Sequence, residues 1–236
     1  MPRIALFIPC FVDQLCPQVG VDMARVLRRI GCEIDFPGDQ TCCGQPAFNT
    51  GYWQDAKAVA ERFLSIFDKA EVVVGPSGSC VAMVRKFYPE LLKQPQGSFS
   101  KFYELSEFLT QVAKVTDVGA SFAHKVTLHD SCHANRELGI RNAPRELLKH
   151  VRGLDLLEMH DSDECCGFGG TFSVKFGMIS AAMGDVKTGN AAATGAEFVT
   201  SVDPSCLMHV DGILRRKKSP IQTIHLASIL ASEAAQ

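Results

Sequence analysis

Ten cysteines are the residues of this chain best suited to chemistry: Cys10, Cys16, Cys32, Cys42, Cys43, Cys80, Cys132, Cys165, Cys166 and Cys206. They make up about 4% of 236 residues, well below the roughly 8–10% of a small disulfide-built scaffold. A chain of this length can bury a sizeable core without covalent staples. Near the start, the apolar stretch Ile4 to Val12 is broken by Pro9 and Cys10 and closed by Asp13. It is shorter than the roughly 20 residues of a membrane span, and no small-residue cleavage site follows it. The expectation is a cytoplasmic protein with no membrane span, in a reducing compartment where clustered cysteines bind metals or do redox chemistry.

Eight of the ten fall into two copies of one pattern. Cys10, Cys42, Cys43 and Cys80 recur as Cys132, Cys165, Cys166 and Cys206, at offsets of 122, 123, 123 and 126 residues. Each adjacent pair runs into a glycine, Gly44 or Gly167, and each last cysteine ends a proline-containing turn, Pro76 to Cys80 or Asp203 to Cys206. Each repeat closes on a similar phrase, Tyr103-Glu104-Leu105 through Leu109 and Ile224-His225-Leu226 through Leu230. Such agreement marks an internal duplication. Cys16 and Cys32 have no counterparts and read as ordinary small apolar side chains.

The elements that must position these thiols follow from hydrophobic periodicity. Arg3 to Pro9, Glu33 to Phe36 and Val72 to Val74 have strand character, and Val19 to Ile30 and Trp53 to Phe67 carry apolar residues at helical spacing. The second half repeats this: strands at Lys125 to Leu128, Leu154 to Glu158 and Phe198 to Val202, and helices at Pro144 to Val151 and Ile179 to Thr194. Strands alternating with helices predict an α/β fold. It should comprise two similar Rossmann-like halves, each a short parallel sheet flanked by helices, covering residues 1–116 and 117–236, with the junction near residues 113 to 123.

In such a layer the loops at the carboxyl ends of the strands share one edge, where ligands bind. All eight repeated cysteines fall on these loops, and four thiolates per half is the number that an iron–sulfur cluster requires. In an extended segment adjacent side chains point apart, so the pairs suit a cluster with several metals better than a single zinc, for which Cys-x₂₋₄-Cys spacing is usual. Gly44 and Gly167 would let the backbone turn sharply and approach an inorganic sulfide. Zinc, and buried free thiols, are the alternatives.

The double pattern resembles the cysteine-rich CCG domain family, whose members include the cysteine-rich component of heterodisulfide reductase and the iron–sulfur component of glycolate oxidase. Cys10-Phe-Val-Asp13, Cys42-Cys-Gly-Gln-Pro46, Cys165-Cys-Gly-Phe-Gly-Gly170 and Cys206-Leu-Met208 are closest to a stand-alone branch with two such domains, and the match covers essentially the whole chain. The resemblance implies iron–sulfur clusters of [4Fe-4S] type, one or two per chain, held by the eight cysteines. It also implies an oxidoreductase component, an electron-transfer subunit that oxidises L-lactate to pyruvate together with iron–sulfur and flavin or other redox subunits. A thiol–disulfide redox subunit and a non-catalytic assembly subunit with structural metal sites are the alternative functions. In the heterodisulfide reductase relatives the last cysteine belongs to a Cys-x-x-Cys; here the extra positions hold Met83 and His209. His209 is therefore a candidate nitrogen ligand set against a solvent-facing helix histidine, and Met83 reads as core.

Asp13, His129, Asp130, His133, Asp161 and Asp163 also stand within a few residues of the cysteines and could tune a metal group or a bound small carboxylate. Asp130 and His133, flanking Cys132, are the candidates for proton handling, against a turn cap and ordinary loop hydrogen bonds. Arg136 and Arg141 follow Cys132 in sequence. Gly167-Phe-Gly-Gly170 lacks the third glycine of a dinucleotide fingerprint. Lactate oxidation removes a hydride equivalent, so a nicotinamide or flavin elsewhere, or direct substrate chemistry at a cluster, must handle it. A net charge of −2 with one basic run, Arg215 to Lys218, excludes a nucleic-acid footprint.

Overall fold

A computed structural model describes residues 3–233. The first half begins with β1 (Arg3–Leu6), α1 (Cys10–Leu15), α2 (Pro17–Arg29) and β2 (Glu33–Asp35). It continues with α3 (Gln45–Asn49), α4 (Trp53–Ile66), β3 (Val73–Gly75) and α5 (Gly78–Ala82). A π-helical turn, Met83–Phe87, joins α5 to α6 (Tyr88–Leu92), and β4 (Phe102–Glu104) leads into α7 (Leu105–Glu107) and a second π turn, Phe108–Val112. The second half is β5 (Lys125–Leu128), a π turn at His133–Glu137, α8 (Asn142–Lys149) and β6 (Asp155–Leu156), then α9 (Thr171–Lys175) and α10 (Gly177–Ala193). It ends with β7 (Phe198–Ser201), α11 (Pro204–Arg216), β8 (Gln222–His225) and α12 (Leu226–Ala231).

Each half forms one four-stranded parallel sheet, ordered β2-β1-β3-β4 and β6-β5-β7-β8. Ala5 pairs with Asp35 on one side and Val73 on the other, and Val126 pairs with Leu156 and Phe198 in the same way. The identical order confirms the duplicated α/β architecture. The six strands expected from the sequence are present: β1, β2, β6 and β7 are shorter than expected, β5 has the expected bounds and β3 is shifted by one residue. The two outer strands, β4 and β8, show in the sequence only as a recurring phrase, because Phe-Tyr-Glu and Gln-Thr-Ile-His lack a continuous apolar run.

Side chains along a strand alternate between faces, and that alternation divides the core. Ile4, Leu6 and Val74 enter one apolar cluster together with Leu27, Leu105, Phe108, Val126, Leu128, Leu147 and Leu230. This cluster draws on both halves, so the two sheets are fused through a common core. Phe7 and Val73 face the other way, into an aromatic cluster of Phe63, Phe67, Tyr88 and Phe102. The second half's outer core is smaller and built from Met159, Val199, Leu207, Val210 and Leu214.

The helices α2 and α12 carry the joint. The Arg29 guanidinium donates to the carbonyls of Leu230 (2.9 Å) and Ala231 (2.8 Å) at the end of α12, and to that of Val118 (3.2 Å) in the connecting segment. These bonds satisfy carbonyls that the end of a helix leaves without intrahelical partners. Ser228 Oγ donates to buried Asp22 at 2.7 Å. Among the described residues no helix is long and apolar enough to cross a membrane.

Candidate metal centre

The strand order explains why the cysteines meet. In an open parallel sheet ordered 2-1-3-4, the crevice outside the carboxyl ends of strands 1 and 3 is the binding position. Cys10 and Cys80 lie in the segments that leave β1 and β3, and Cys132 and Cys206 in those that leave β5 and β7. The adjacent pairs arrive on the loops after β2 and β6. All eight line one cleft between the halves, which opens to solvent. Phe11 and Phe168, one from each half, meet edge to face across it with centroids 5.7 Å apart.

Within each half the four thiols form a chain of contacts. Cys10 Sγ lies 3.6 Å from Cys42 Sγ, Cys42 is hydrogen-bonded to Cys43, and Cys43 to Cys80. In the second half Cys132, Cys165, Cys166 and Cys206 follow the same order. The hydrogen bonds within each set shift its thiols in opposite directions. Hydrogen bonds from Cys10 and then Cys43 pull Cys42 down to about 3, and those from Cys132 and then Cys166 pull Cys165 down to about 2. The backbone N–H groups of Gly44 and Gly167 add a donor to each, at 3.4 Å. The donating neighbours Cys10, Cys43, Cys132 and Cys166 are pushed up, by giving their protons to these acceptors and by burial. Cys206 is lowered by the hydrogen bond from Cys166. A metal entering either set would displace the shared protons.

Two local expectations change. The adjacent cysteines do not point apart, because residues 41–43 and 165–166 are irregular loops and not strands; each pair presents both thiols to one site. Adjacency therefore does not distinguish a cluster from a single ion. The glycines do turn the chain, with φ of 79° at Gly44 and 93° at Gly167. Their close approach is to a helix and not to the cleft: a Cβ on Gly167 would stand 2.6 Å from Ser180 O in α10.

The other candidates separate clearly. Asp130 is buried and committed to an ion pair. Arg145 donates to its two oxygens at 2.7 and 2.8 Å and Ser162 Oγ donates at 2.9 Å, so the carboxylate neither lines the cleft nor caps a turn. His133 does line the cleft, with Nδ1 3.6 Å from Cys132 Sγ. His209 does not reach it: half-buried on α11, it places Nε2 3.3 Å from Ser180 O. Met83 is fully buried in the core as expected, and so is nearly all of Cys32; Cys16 is half-buried between α1 and α2. Arg136 spends its guanidinium on Asp163 O, and among the described residues no arginine or lysine lines the cleft.

One residue at the site escapes a reading of the sequence, and another is more closely placed than the sequence shows. Buried Asp203 accepts from Ser205 N (3.2 Å) in its own half and from Ser79 N (2.7 Å) in the other. It fixes the turns bearing Cys206 and Cys80 to one another, and its signal is an Asp-Pro start, an N-cap followed by proline at N1. His129 stands out in the sequence only as a neighbour of Cys132, yet its ring nitrogen shares a 4.8 Å sphere with the sulfurs of Cys166 and Cys206.

Two segments, residues 4–85 and 126–211, each match the family model of the CCG cysteine-rich domain. The chain belongs to the CCG cysteine-rich domain family. The repeat so defined covers three strands of each sheet, leaving β4 and β8 outside it, and carries all eight cleft cysteines. Among curated relatives, lactate utilization protein A of Bacillus licheniformis is 44% identical over 237 residues, covering 98% of this chain and 99% of that protein. The proteins of the same name from Bacillus subtilis and Halalkalibacterium halodurans are 44% and 46% identical, each over at least 96% of both chains. A hypothetical protein from Helicobacter pylori has the same fold, with a TM-score of 0.63 at 12% identity over 100% of this chain; the chain spans 50% of that protein.

Proposed function

We propose that this chain is a cytoplasmic iron–sulfur electron-transfer subunit of a system that oxidises L-lactate to pyruvate. The observation that carries the reading is the convergence of four thiols from each repeat on one cleft, in a chain 44% identical over nearly its full length to proteins named for lactate utilization. The donor set fits the cofactor: four thiols per half, two of them buried and two half-buried, converge on one pocket. Cys10, Cys42, Cys43 and Cys80 would hold one cluster, and Cys132, Cys165, Cys166 and Cys206 a second. Bound there, [4Fe-4S] clusters would supply one-electron transfer.

The chain's own residues do the rest. Oxidising lactate to pyruvate releases two electrons and two protons, so a flavin or similar partner must take them as a pair and release them singly. Two sites facing one cleft suit such a split. The cleft lining, among the described residues, offers a lactate carboxylate no cationic clamp, which supports binding of substrate on a partner. Phe11 and Phe168 join the two halves across the cleft, and Asp203 ties the turns of the two sets together. His133, beside Cys132, is the residue placed to exchange a proton with solvent.

Anaerobic purification tests the reading. Brown protein with iron and acid-labile sulfide is expected, and Cys42→Ser or Cys165→Ser should each remove part of both and abolish lactate-dependent electron transfer by the reconstituted system. Colourless protein containing zinc in place of iron would overturn it, and so would full electron transfer with both cysteines replaced.

A further inference from the structure

At one position beside the thiols the two repeats differ in kind. Three residues ahead of Cys10 stands Phe7, and three ahead of Cys132 stands His129. Phe7 is fully buried and packs edge-on against Phe63 at 4.8 Å, an ordinary aromatic core contact. His129 is just as deep, with 1% of its surface exposed, but an imidazole brings two polar atoms that require partners.

One of them has a partner. Nδ1 lies 3.3 Å from Ser162 O, and a carbonyl can only accept, so the hydrogen of the ring resides on Nδ1. The same carbonyl accepts from buried Lys187 Nζ at 3.3 Å, and Lys187 also donates to Asp161 O, which fixes the loop against which the imidazole is braced. Nε2 is then left with its lone pair, buried and without any hydrogen-bond partner. A ring nitrogen of His129 lies within 4.8 Å of the sulfurs of Cys166 and Cys206. A histidine anchored through Nδ1–H to a carbonyl, with a bare Nε2 beside cysteine sulfurs, has the arrangement that orients a metal-ligating imidazole.

We propose that His129 Nε2 is a nitrogen ligand of the metal group held by Cys132, Cys165, Cys166 and Cys206, so that the second half offers nitrogen and sulfur where the first offers sulfur alone. The inference rests on the iron–sulfur reading above.

The test is pulsed electron paramagnetic resonance on the reduced, cluster-loaded full-length chain. Protein grown with ¹⁵N-histidine should convert a directly bonded ¹⁴N coupling into its ¹⁵N counterpart. His133→Ala and His209→Ala should keep the coupling, and His129→Ala should lose it while the iron content of the first half stays. A Cys42→Ser background should retain the coupling and a Cys165→Ser background should lose it. A loaded protein whose spectrum shows no histidine nitrogen, or whose coupling survives His129→Ala, would overturn the assignment and leave the iron–sulfur reading intact. Absence of iron and sulfide altogether would overturn both. If His129→Ala fails to load the second site, the labelled wild-type chain with the His133 and His209 variants still decides the matter.

Discussion

Gly44 and Gly167 occupy the same step of the two repeats, and replacing each with alanine should give unequal losses. Both have positive φ, 79° and 93°, a conformation that costs an L-residue roughly 1–2 kcal/mol. Beyond that the surroundings diverge. At Gly44 the new methyl would meet Ala56 O and Val59 Cγ1 at 3.4 Å, an ordinary contact. At Gly167 it would stand 2.6 Å from Ser180 O and 2.8 Å from Met183 Cβ, so α10 must move. Forced repacking of this kind adds about 1–3 kcal/mol. The expected costs are ~1–2 kcal/mol for Gly44→Ala and ~2–5 kcal/mol for Gly167→Ala. Urea unfolding of the metal-free, reduced chain, followed by circular dichroism, measures both. Equal losses, or a greater loss at Gly44, would refute the assignment of Gly167 to a helix-contact role.

Three further outcomes are expected. Arg145→Ala should cost roughly 3–5 kcal/mol in urea unfolding, because it strands the buried Asp130 carboxylate, while Asp130→Asn with Arg145→Met should recover much of that. Glu104 caps α7 from a fully buried site that raises its carboxyl to about 8; its stabilising contribution is complete below pH ~4.5 and is lost as pH rises towards 8, so Glu104→Gln should gain up to ~3–5 kcal/mol over the parent by pH 8, read from unfolding across pH. His225, the corresponding cap of α12, is lowered to about 4 by burial; its contribution is complete above pH ~6.5 and is lost as pH falls towards 4, so unfolding of Glu104→Gln should show stability rising with pH across that window.

The repeat, the parallel sheets and the thiols of the cleft were legible because each depends on local signals: short apolar runs, helical spacing and the recurrence of Cys-Cys-Gly. What escaped depends on partners distant in sequence. Asp130 reads as a site residue until Arg145 is seen to occupy both its oxygens. His129 looks unremarkable until folding brings Cys166 and Cys206 beside it, whereas His209, prominent in the motif, turns towards α10. The adjacent cysteines defeated a rule that holds for strands because they sit in loops. Short helices starting at Cys10 and Gly78 were missed for want of the two or more turns that periodicity needs.

The contact between Asp203 and the first half bears on how such a molecule arose. Asp203 stands three residues before Cys206, and its counterpart, three before Cys80, is Ser77. The two face each other, Ser77 Oγ to Asp203 Oδ2 at 3.5 Å, in a fully buried setting. A homodimer of the second repeat would set two aspartates there, and like charges so close and dry repel strongly. A homodimer of the first would set two serines and lose the carboxylate that joins the turns. Neither half is therefore complementary to itself at this point; each is complementary to the other. Placing both in one polypeptide freed the corresponding positions to mutate separately, and a two-fold ancestor could then acquire a direction.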